Sequence, residues 1–324
     1  MTTELSAGTT VPATEGGLRC DWQAPFGVDI SLTLAVHRRG YGDPALRFDA
    51  SGALWRTSLT PAGPATLRLA TAGGRQAQPG ACIEAAAWGE GARWLLARVP
   101  DLLGARDEPD AFRPQHPRLR ELVRQHPGLR VGRTDRVLEA LVPAVLEQKV
   151  LGREAHRAWR YLLRWHGLPA PGPAPAGMRV FPPPATWRAI PSWEWHRAGV
   201  EAVRTRTIAG AAGVADRLEA TATMAGAEAD RLLQALPGIG PWTAAEVRQR
   251  ACGDADAVSV GDYHLPAAVG WTLAGEPAAD DARMLELLAP YQGQRYRVTR
   301  LIELGGGGPP RRGPRLALRD YRAF

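Results

Sequence analysis

The sequence predicts an α+β protein, with a small antiparallel β-rich domain at the N-terminus and an all-helical region after it. Two observations carry this prediction. Between residues 20 and 105, several short segments alternate apolar and polar side chains with a period of two, as half-buried strands do. After about residue 110, apolar residues recur at helical spacing between connections rich in proline and glycine.

The alternating segments place the strands of the N-terminal domain. The segment 28–37 alternates over its whole length and predicts a half-buried strand. Two alternating runs separated by 50–52 predict a β-hairpin, and 65–70 predicts a further strand. The alanine-rich stretch 81–98, which contains two tryptophans, predicts a helix that covers the sheet.

The helical region begins with a strongly apolar segment. Thr134 is the predicted N-cap of a helix through Gln148, and Pro143 predicts a kink inside it. A second helix is predicted to stop at Gly167, where a Pro/Gly-rich connection follows. Further helices are predicted at these places: near Trp187, over 195–212, over 228–235 and over 241–251.

These patterns divide the chain into four parts. Residues 1–19 are predicted to be a disordered lead-in, because they have neither a basic start nor an apolar run. The β-rich domain is predicted over 20–105 and the helical region over 106–304. The last part, 305–324, is predicted to be a basic, flexible tail.

Composition and charge narrow the classes of function. With 45% hydrophobic and 23% charged residues, the 324-residue chain has the composition of a folded protein, and no apolar run is long enough for a membrane span. We therefore expect a cytoplasmic protein. The net charge of +7 and the pI near 9.9 favour an anionic partner, nucleic acid first. Lys149 is the single lysine among 40 basic residues, so chemistry that needs a lysine amine has one candidate.

The three cysteines, Cys20, Cys82 and Cys252, stand far apart. Their number and spacing predict no disulfide framework, no zinc site and no iron–sulfur cluster.

The stretch "LPGIGPWTA", which runs from Leu236 to Ala244, joins two predicted helices. Pro241 suits the first turn of the second helix, where its missing amide proton is not needed. Gly238 and Gly240 can adopt left-handed torsions and leave backbone N–H groups free beside that helix N-terminus. Such a turn can bind a phosphate oxygen without reading a base. The alternative is a helix–helix turn with no ligand.

An aspartate follows this turn at a fixed distance. Asp262 lies 22 residues after Gly240, in "VSVGDYHLP". This pairing resembles the helix-hairpin-helix superfamily of DNA glycosylases, and most of all the bacterial 3-methyladenine DNA glycosylase II family. "DWQAPFGVDI" and "VLEQKV" resemble two further segments of that family, so the likeness covers most of the chain. It implies a helix-hairpin-helix at 228–251 and a glycosylase region of two helical subdomains.

The resemblance implies roles for Asp262 and Trp242. The matching aspartate is essential in the family, where it stabilises the positive charge that develops on deoxyribose as the base departs. The alternative for Asp262 is a helix N-cap, and both roles are compatible. Trp242 stands where family members that also cut the backbone carry a Schiff-base lysine. An indole has no amine, so we expect water as the nucleophile, no lyase activity, and an aromatic wall for a cationic base. The alternative for Trp242 is a core side chain.

Two positions depart from the family pattern. Gln148 matches, but the next residue, a hydrophobic wedge in the family, is Lys149. Its aliphatic stem can enter a base stack, or it can contact phosphate or remain solvated. Near the C-terminus, Glu303 stands about where close relatives have a second pocket aromatic. Trp193 and Trp195 are candidates to supply that aromatic, with ordinary packing as the alternative.

Further candidate DNA contacts lie at the turn and after Asp262. Ile239 lies in the hairpin turn between its glycines, and His264 can donate to a phosphate or cap the helix after Asp262. The remaining candidates are arginines, most of which we expect to be surface charge: Arg130, Arg133, Arg204, Arg206, Arg248 and Arg250.

The leading interpretation is a monofunctional DNA glycosylase that flips and excises alkylated purines of the 3-methyladenine and 7-methylguanine type in base excision repair. The partner is double-stranded DNA containing damaged bases, at the nucleoid, and the protein is expected to be a monomer without a cofactor. The resemblance leaves room for a monovalent cation at the hairpin. Two alternatives remain: a glycosylase for other damaged or deaminated bases, and a non-catalytic helix-hairpin-helix DNA-binding protein.

Overall fold

A six-stranded antiparallel sheet forms the N-terminal part of the protein, in a computed structural model that describes residues 11–12, 16–71 and 76–310. The strands are β1 (Val11–Pro12), β2 (Leu18–Gln23), β3 (Val28–Asp29), β4 (Leu46–Phe48), β5 (Leu54–Thr60), β6 (Gly63–Thr71), β7 (Gln76–Ala77) and β8 (Cys82–Trp88). The sheet order is β1-β2-β8-β6-β5-β4, and β3 pairs separately with β7. The predicted hairpin around 50–52 is confirmed as β4 and β5, and 65–70 lies in β6.

Two predictions in this part are wrong. The segment 28–37 is a strand only at β3, and then forms helix α1 (Ile30–Leu34) and a 3-10 turn, Ala35–His37. Asp29 Oδ1 accepts the Leu32 N–H at 2.9 Å and starts the helix, a local hydrogen bond that alternation cannot reveal.

The predicted helix over 81–98 is instead β8 followed by helix α2 (Ala92–Ala97). In β8 the side chains of Ile83, Ala85 and Ala87 are buried in turn, between strands β2 and β6. Placement in the sheet therefore overrides the helix propensity of alanine.

Helices make up most of the remaining chain. They are α3 (Val99–Leu102), α4 (Pro117–Gln125), α5 (Val137–Glu147), α6 (Gly152–His166), α7 (Pro184–Ala189), α8 (Ser192–Ala198), α9 (Ala202–Gly213), α10 (Ala215–Glu219), α11 (Gly226–Gln234), α12 (Pro241–Val247), α13 (Leu265–Ala274), α14 (Asp281–Leu288) and α15 (Arg295–Leu304). Short strands β9 (Leu168–Pro169) and β10 (Arg179–Val180) lie in the proline-rich connection. Helix α12 continues as a π-helical turn, Arg248–Cys252; 3-10 turns cover Pro109–Ala111, Ala220–Thr223 and Ala289–Tyr291.

Two helix boundaries differ from the prediction. Helix α5 begins at Val137, and its first amides donate to the Glu219 carboxylate at 2.8 and 3.1 Å, so the cap comes from α10 and not from Thr134. The single helix predicted over 195–212 is interrupted, because Gly199 adopts a φ of 78° and ends α8. Gly167 ends α6 as predicted.

The buried apolar side chains form separate clusters. One lies against the sheet and includes α2 and α3. A second joins α5, α6, α8, α9 and α12, and a third joins α4, α13, α14 and α15. Helices α12 and α13 thus belong to different clusters, and the segment that joins them runs from one cluster to the other.

The ends of the chain are described only in part. Val11–Pro12 pairs with Leu18 and Arg19, so paired strands occur within residues 1–19, where the sequence predicts a disordered lead-in. Of the predicted flexible tail, 311–324 lies outside the described residues. None of the described helices is long and apolar enough to cross a membrane.

Candidate active site

The stretch between α11 and α12 is a tight turn packed on α9. Gly238 has a φ of 89°, and a Cβ built there would lie 2.1 Å from Thr207 Oγ1, so this position requires glycine for conformation and for space. Gly240 has an extended backbone (φ −102°) and open space beside it, which differs from the left-handed torsion expected of it. Ile239 between them is buried. The first amides of α12, which have no intrahelical partner, begin directly after this turn.

Asp262 contacts Trp242. The indole Nε1–H of Trp242 donates to Oδ2 of Asp262 at 3.1 Å, and both side chains are partly exposed. Oδ1 accepts the backbone N–H groups of His264 and Leu265 at 2.8 and 2.9 Å. Asp262 therefore caps α13 and at the same time points its second oxygen at the indole. The capping contacts considered for this residue are present, and its catalytic role stays a prediction.

The peptide before Asp262 is also fixed. Gly261, with a φ of 91°, donates its N–H to both carboxylate oxygens of Asp281 at 3.1 Å. The Asp262 N–H donates to the Ser259 carbonyl at 3.2 Å. The carboxylate is thus held at the start of α13 by main-chain contacts on both sides.

The end of α5 is attached to the hairpin. Gln148 Nε2 donates to the Gly238 carbonyl at 2.9 Å and to Thr243 Oγ1 at 2.8 Å. Arg204 NH1 donates to the Leu146 carbonyl at 2.9 Å. Lys149 comes next, exposed, with a φ of 54° that is uncommon for a residue with a side chain. The structure therefore places Gln148 and Lys149 beside the turn.

The side chains that follow Asp262 face solvent. Tyr263 is 86% exposed, and the His264 ring stands edge-on to it at 4.8 Å between centroids. His264 is exposed and contributes its backbone N–H to the Asp262 cap. Sequence reasoning did not single out Tyr263, Thr207 or Thr243; Thr243 could have been found from its place directly after Trp242.

The two other candidate aromatics lie apart from each other. Trp195 is 3% exposed, donates to the Ile190 carbonyl at 3.2 Å and packs on Trp187, which fits the packing alternative. Trp193 is 63% exposed. Glu303 lies on α15 and forms an ion pair with Arg300 at 3.1 Å. No contact described in the structure joins these two tryptophans to Trp242 or Asp262, so their pocket role stays a prediction.

Five of the six candidate arginines have partners inside the protein. Arg130 stacks on Phe26 and donates to two carbonyls, and Arg204 is buried against α5. Arg133 pairs with Asp135, Arg248 with Asp230 and Asp254, and Arg250 with Glu246. The sixth, Arg206, is exposed. Within the described residues, no group of three or more His, Cys, Asp or Glu side chains is arranged to hold a metal ion.

No family model matches the sequence. Part of it is similar to the Mycobacterium tuberculosis protein named "probable bifunctional transcriptional activator/DNA repair enzyme AlkA". The identity is 34% over 153 residues, which are 46% of this chain and 30% of that protein. The match thus covers less than a third of the relative.

Solved structures match over a longer range. The 3-methyladenine DNA glycosylase from Archaeoglobus fulgidus superposes with a TM-score of 0.73 at 17% identity, over 87% of this chain and 97% of that one. A DNA complex of the 8-oxoguanine glycosylase/lyase from Clostridium acetobutylicum superposes with a TM-score of 0.68 at 10% identity, over 91% and 96%. The chain therefore has the fold of these DNA glycosylases, and 153 residues of it are similar in sequence to the Mycobacterium tuberculosis protein.

Proposed function

We propose that this protein is a monofunctional DNA glycosylase that excises alkylated purines from double-stranded DNA in base excision repair. The observation that carries the proposal is the 3.1 Å contact between Asp262 Oδ2 and Trp242 Nε1, directly after the hairpin turn. It brings together the acid and the aromatic ring that the reaction requires.

Asp262 is proposed as the catalytic residue. Loss of a purine leaves positive charge on C1′ and the ring oxygen of the deoxyribose, and a fixed carboxylate stabilises that charge. Two backbone N–H groups hold Oδ1, so the carboxylate needs little reorganisation as the charge develops. Oδ2 accepts one N–H from the indole and retains capacity to face the sugar or to orient the attacking water.

Trp242 is proposed to line the base pocket and to exclude a lyase step. With its N–H committed to Asp262, the indole keeps its ring face for a base. An alkylated purine is cationic, and an aromatic face attracts a cation by about 0.5–2 kcal/mol. The residue that forms a Schiff base in lyases is absent at this position, so water takes the place of an amine nucleophile.

The hairpin turn and the end of α5 are proposed to bind the DNA. Backbone N–H groups at Gly238 and Gly240 can bind a phosphate, and the open space at Gly240 leaves the backbone accessible. The Ile239 N–H donates to the Leu236 carbonyl at 3.1 Å, so this residue holds the turn and does not offer its amide to DNA. Gln148 ties this turn to Lys149, which we propose enters the duplex when the damaged nucleotide is flipped out. His264, exposed beside Asp262, is a further candidate phosphate contact.

The position of the site between two apolar clusters supports two helical subdomains. Trp242 lies on α12, whose side chains belong to one cluster, and Asp262 caps α13, which belongs to the other. A base pocket at such a junction can be lined from both sides. We propose that the protein acts as a monomer on nucleoid DNA without a bound cofactor; a monovalent cation at the hairpin stays a prediction.

One alternative to alkylpurine excision is supported by a solved structure. One solved structure of similar fold is an 8-oxoguanine glycosylase/lyase, which favours a second candidate function, excision of other damaged or deaminated bases. The match to AlkA and to a 3-methyladenine glycosylase favours alkylated purines.

Duplexes with a single defined lesion test the proposal. The protein is incubated with duplexes that carry 7-methylguanine, 8-oxoguanine or uracil, released bases are measured by chromatography, and strands are analysed with and without alkali. Release of the alkylated base that disappears in Asp262→Asn is the expected result. Release from the other duplexes alone supports the second candidate, and binding without release supports a non-catalytic DNA-binding protein. Strand cutting without alkali contradicts the assignment of water as nucleophile.

A further inference from the structure

A second set of polar contacts lies behind the Trp242–Asp262 pair. Glu246 stands one helical turn after Trp242 on α12, and its Oε1 accepts the Ser259 Oγ–H at 2.7 Å. Gln249 Nε2 donates to Ser259 Oγ at 3.0 Å and to the Ala257 carbonyl at 2.9 Å. The helix that carries Trp242 thus holds the segment that carries Asp262.

These contacts are shielded from water. Ser259 and Gln249 are 5% and 4% exposed, and the Glu246 side chain is 12% exposed. The second oxygen of Glu246 pairs with Arg250 NH1 at 2.7 Å, so the carboxylate is held on both sides. A hydrogen bond in such a site costs more to lose than one in water, because the group left behind stays desolvated.

Ser259 transmits this anchoring to Asp262. Its hydroxyl is bound to α12, and its carbonyl accepts the Asp262 N–H at 3.2 Å. The path from Glu246 through Ser259 to Asp262 therefore runs alongside the direct contact between the indole and the carboxylate. The position of Asp262 relative to Trp242 depends on this path and on the direct contact.

We infer that Glu246 is a positioning residue, which acts through Ser259 to hold the Asp262 carboxylate against the Trp242 indole. The inference rests on the proposed function, because it assigns Glu246 to the same site. It does not place Glu246 in contact with the substrate.

Three variants test the hydroxyl–carboxylate link. Ser259→Ala removes the donor, and with it the oxygen that accepts from Gln249 Nε2, but keeps the Glu246–Arg250 pair. Glu246→Ala and Glu246→Gln both remove the charge beside Arg250, but the glutamine amide oxygen can still accept the Ser259 hydroxyl. The difference between these two variants therefore reports on the link and not on the ion pair.

Two readouts follow the position of the carboxylate. The first is solvent exchange of the Trp242 indole N–H, followed by NMR and assigned by its loss in Trp242→Phe. The second is the single-turnover rate of base release from a 7-methylguanine duplex, measured together with duplex affinity. We expect Ser259→Ala and Glu246→Ala to speed the exchange and slow the release by about tenfold each, with affinity unchanged. Glu246→Gln should lie close to the wild type.

The outcomes separate this inference from the proposed function. Exchange and release at wild-type values in Ser259→Ala overturn the inference, as does equally faster exchange at all indoles, which indicates general loosening. If the wild-type protein releases no base from any duplex, the proposed function is contradicted. Faster exchange of the Trp242 indole N–H alone in Ser259→Ala and Glu246→Ala would still support the anchoring.

Discussion

Two regions of the molecule use polar residues in opposite ways. One is the contact between the sheet and the helices, and the other is the corner formed by the hairpin and Asp262. We call the first the sheet–helix interface: Arg39, Arg56, Glu139, Glu147 and Arg250. Its charges close on one another, with Arg56 paired to Glu139 at 3.1 Å and Arg39 to Glu147 at 3.5 Å. The second, the hairpin corner, consists of Gln148, Lys149, 236–244 and 262–264. Lys149, Tyr263 and His264 there are exposed.

The difference shows why net charge alone does not locate the DNA-binding surface that we propose. An arginine already paired with a carboxylate and a carbonyl, as Arg250 is with Glu246 and Val36, has little left to offer a phosphate. The corner has a smaller charge but an open backbone and an exposed cation, Lys149, that pairs with no carboxylate among the residues the structure describes, which is what a phosphate contact needs. We therefore expect substitutions in the interface to change stability, and substitutions in the corner to change activity.

Glu139→Ala should have the largest effect on stability. Its carboxylate accepts from Ser58 Oγ, the Leu59 N–H and Arg56, and the side chains of the ion pair are 8% and 9% exposed. Removing it leaves a buried guanidinium unpaired, so we expect the free energy of unfolding in urea to fall by about 3–5 kcal/mol. Glu121→Ala, which removes an exposed pair with Arg118, is the control and should leave it unchanged. An equal loss of unfolding free energy in both variants would contradict the distinction between the buried and the exposed ion pair.

The two hairpin glycines should respond differently to alanine. Gly238→Ala forces a side chain into left-handed torsions and against Thr207, and we expect a loss of at least about 1–2 kcal/mol of stability. Gly240→Ala meets open space and an extended backbone, so its stability should be that of the wild type. Weaker DNA binding by folded Gly240→Ala would support a phosphate contact at the turn. Equal unfolding midpoints for both variants would show that the turn is not constrained as described.

Acid should weaken the sheet–helix interface through His37. Burial and the nearby Arg56, Arg250 and Arg39 lower the pKa of His37 well below its usual value, although Glu139 lines the same cavity. Below about pH 6.5 His37 is protonated in the unfolded chain but stays neutral in the folded protein. The free energy of unfolding therefore falls with decreasing pH, by up to about 1.4 kcal/mol per pH unit. His37→Asn should flatten this slope in urea titrations, and an unchanged slope would exclude His37 as its source.

Glu147 predicts a separate transition at lower pH. Burial opposes ionisation, but Arg39, His156 and Arg250 together lower the pKa of Glu147 to about 2. The ionised carboxylate therefore stabilises the fold at pH values above about 4.3, the pKa that a glutamate has in the unfolded chain. This stability is lost as the pH falls towards 2. Glu147→Gln should remove that part of the acid transition and leave the part above about pH 6 in place.

Lys149→Ala should have the smallest effect, confined to DNA binding. If its ammonium contacts a phosphate, the slope of log affinity against log salt should fall by about one unit, with no change in stability. Lys149→Arg keeps the charge and should keep the slope. An unchanged slope in Lys149→Ala would exclude the phosphate contact, and an unchanged slope together with unchanged base release would assign the residue to solvent.

The residues of the corner can be recognised in the sequence because their signals are local, and their roles in catalysis and DNA binding stay predictions. Gly238 and Asp262 are recognisable from their own neighbours, and the structure brings the Asp262 carboxylate to Trp242. Helix α1 was missed because its cap by Asp29 is a local hydrogen bond that alternation does not reveal. Strand β8 was missed because it depends on its place between two other strands, and the choice between a pocket and a packing role for Trp195 depends on its contact with Trp187. The sequence does not tell which arginines are paired inside the protein and which are exposed, because their carboxylate and carbonyl partners come from other elements.

Asp262→Asn and Glu139→Ala, measured side by side, separate a role of Asp262 in base release from a role in stability. The measurement is the single-turnover rate of alkylpurine release per folded molecule, with the unfolding free energy of each variant. We expect Asp262→Asn to lose at least about 100-fold in rate and to remain folded, since the amide oxygen can still cap α13 although the NH2 group cannot accept the indole N–H. Its loss of stability should be smaller than that of Glu139→Ala, which should keep its rate. Wild-type release by folded Asp262→Asn would show that the carboxylate has no role in base release.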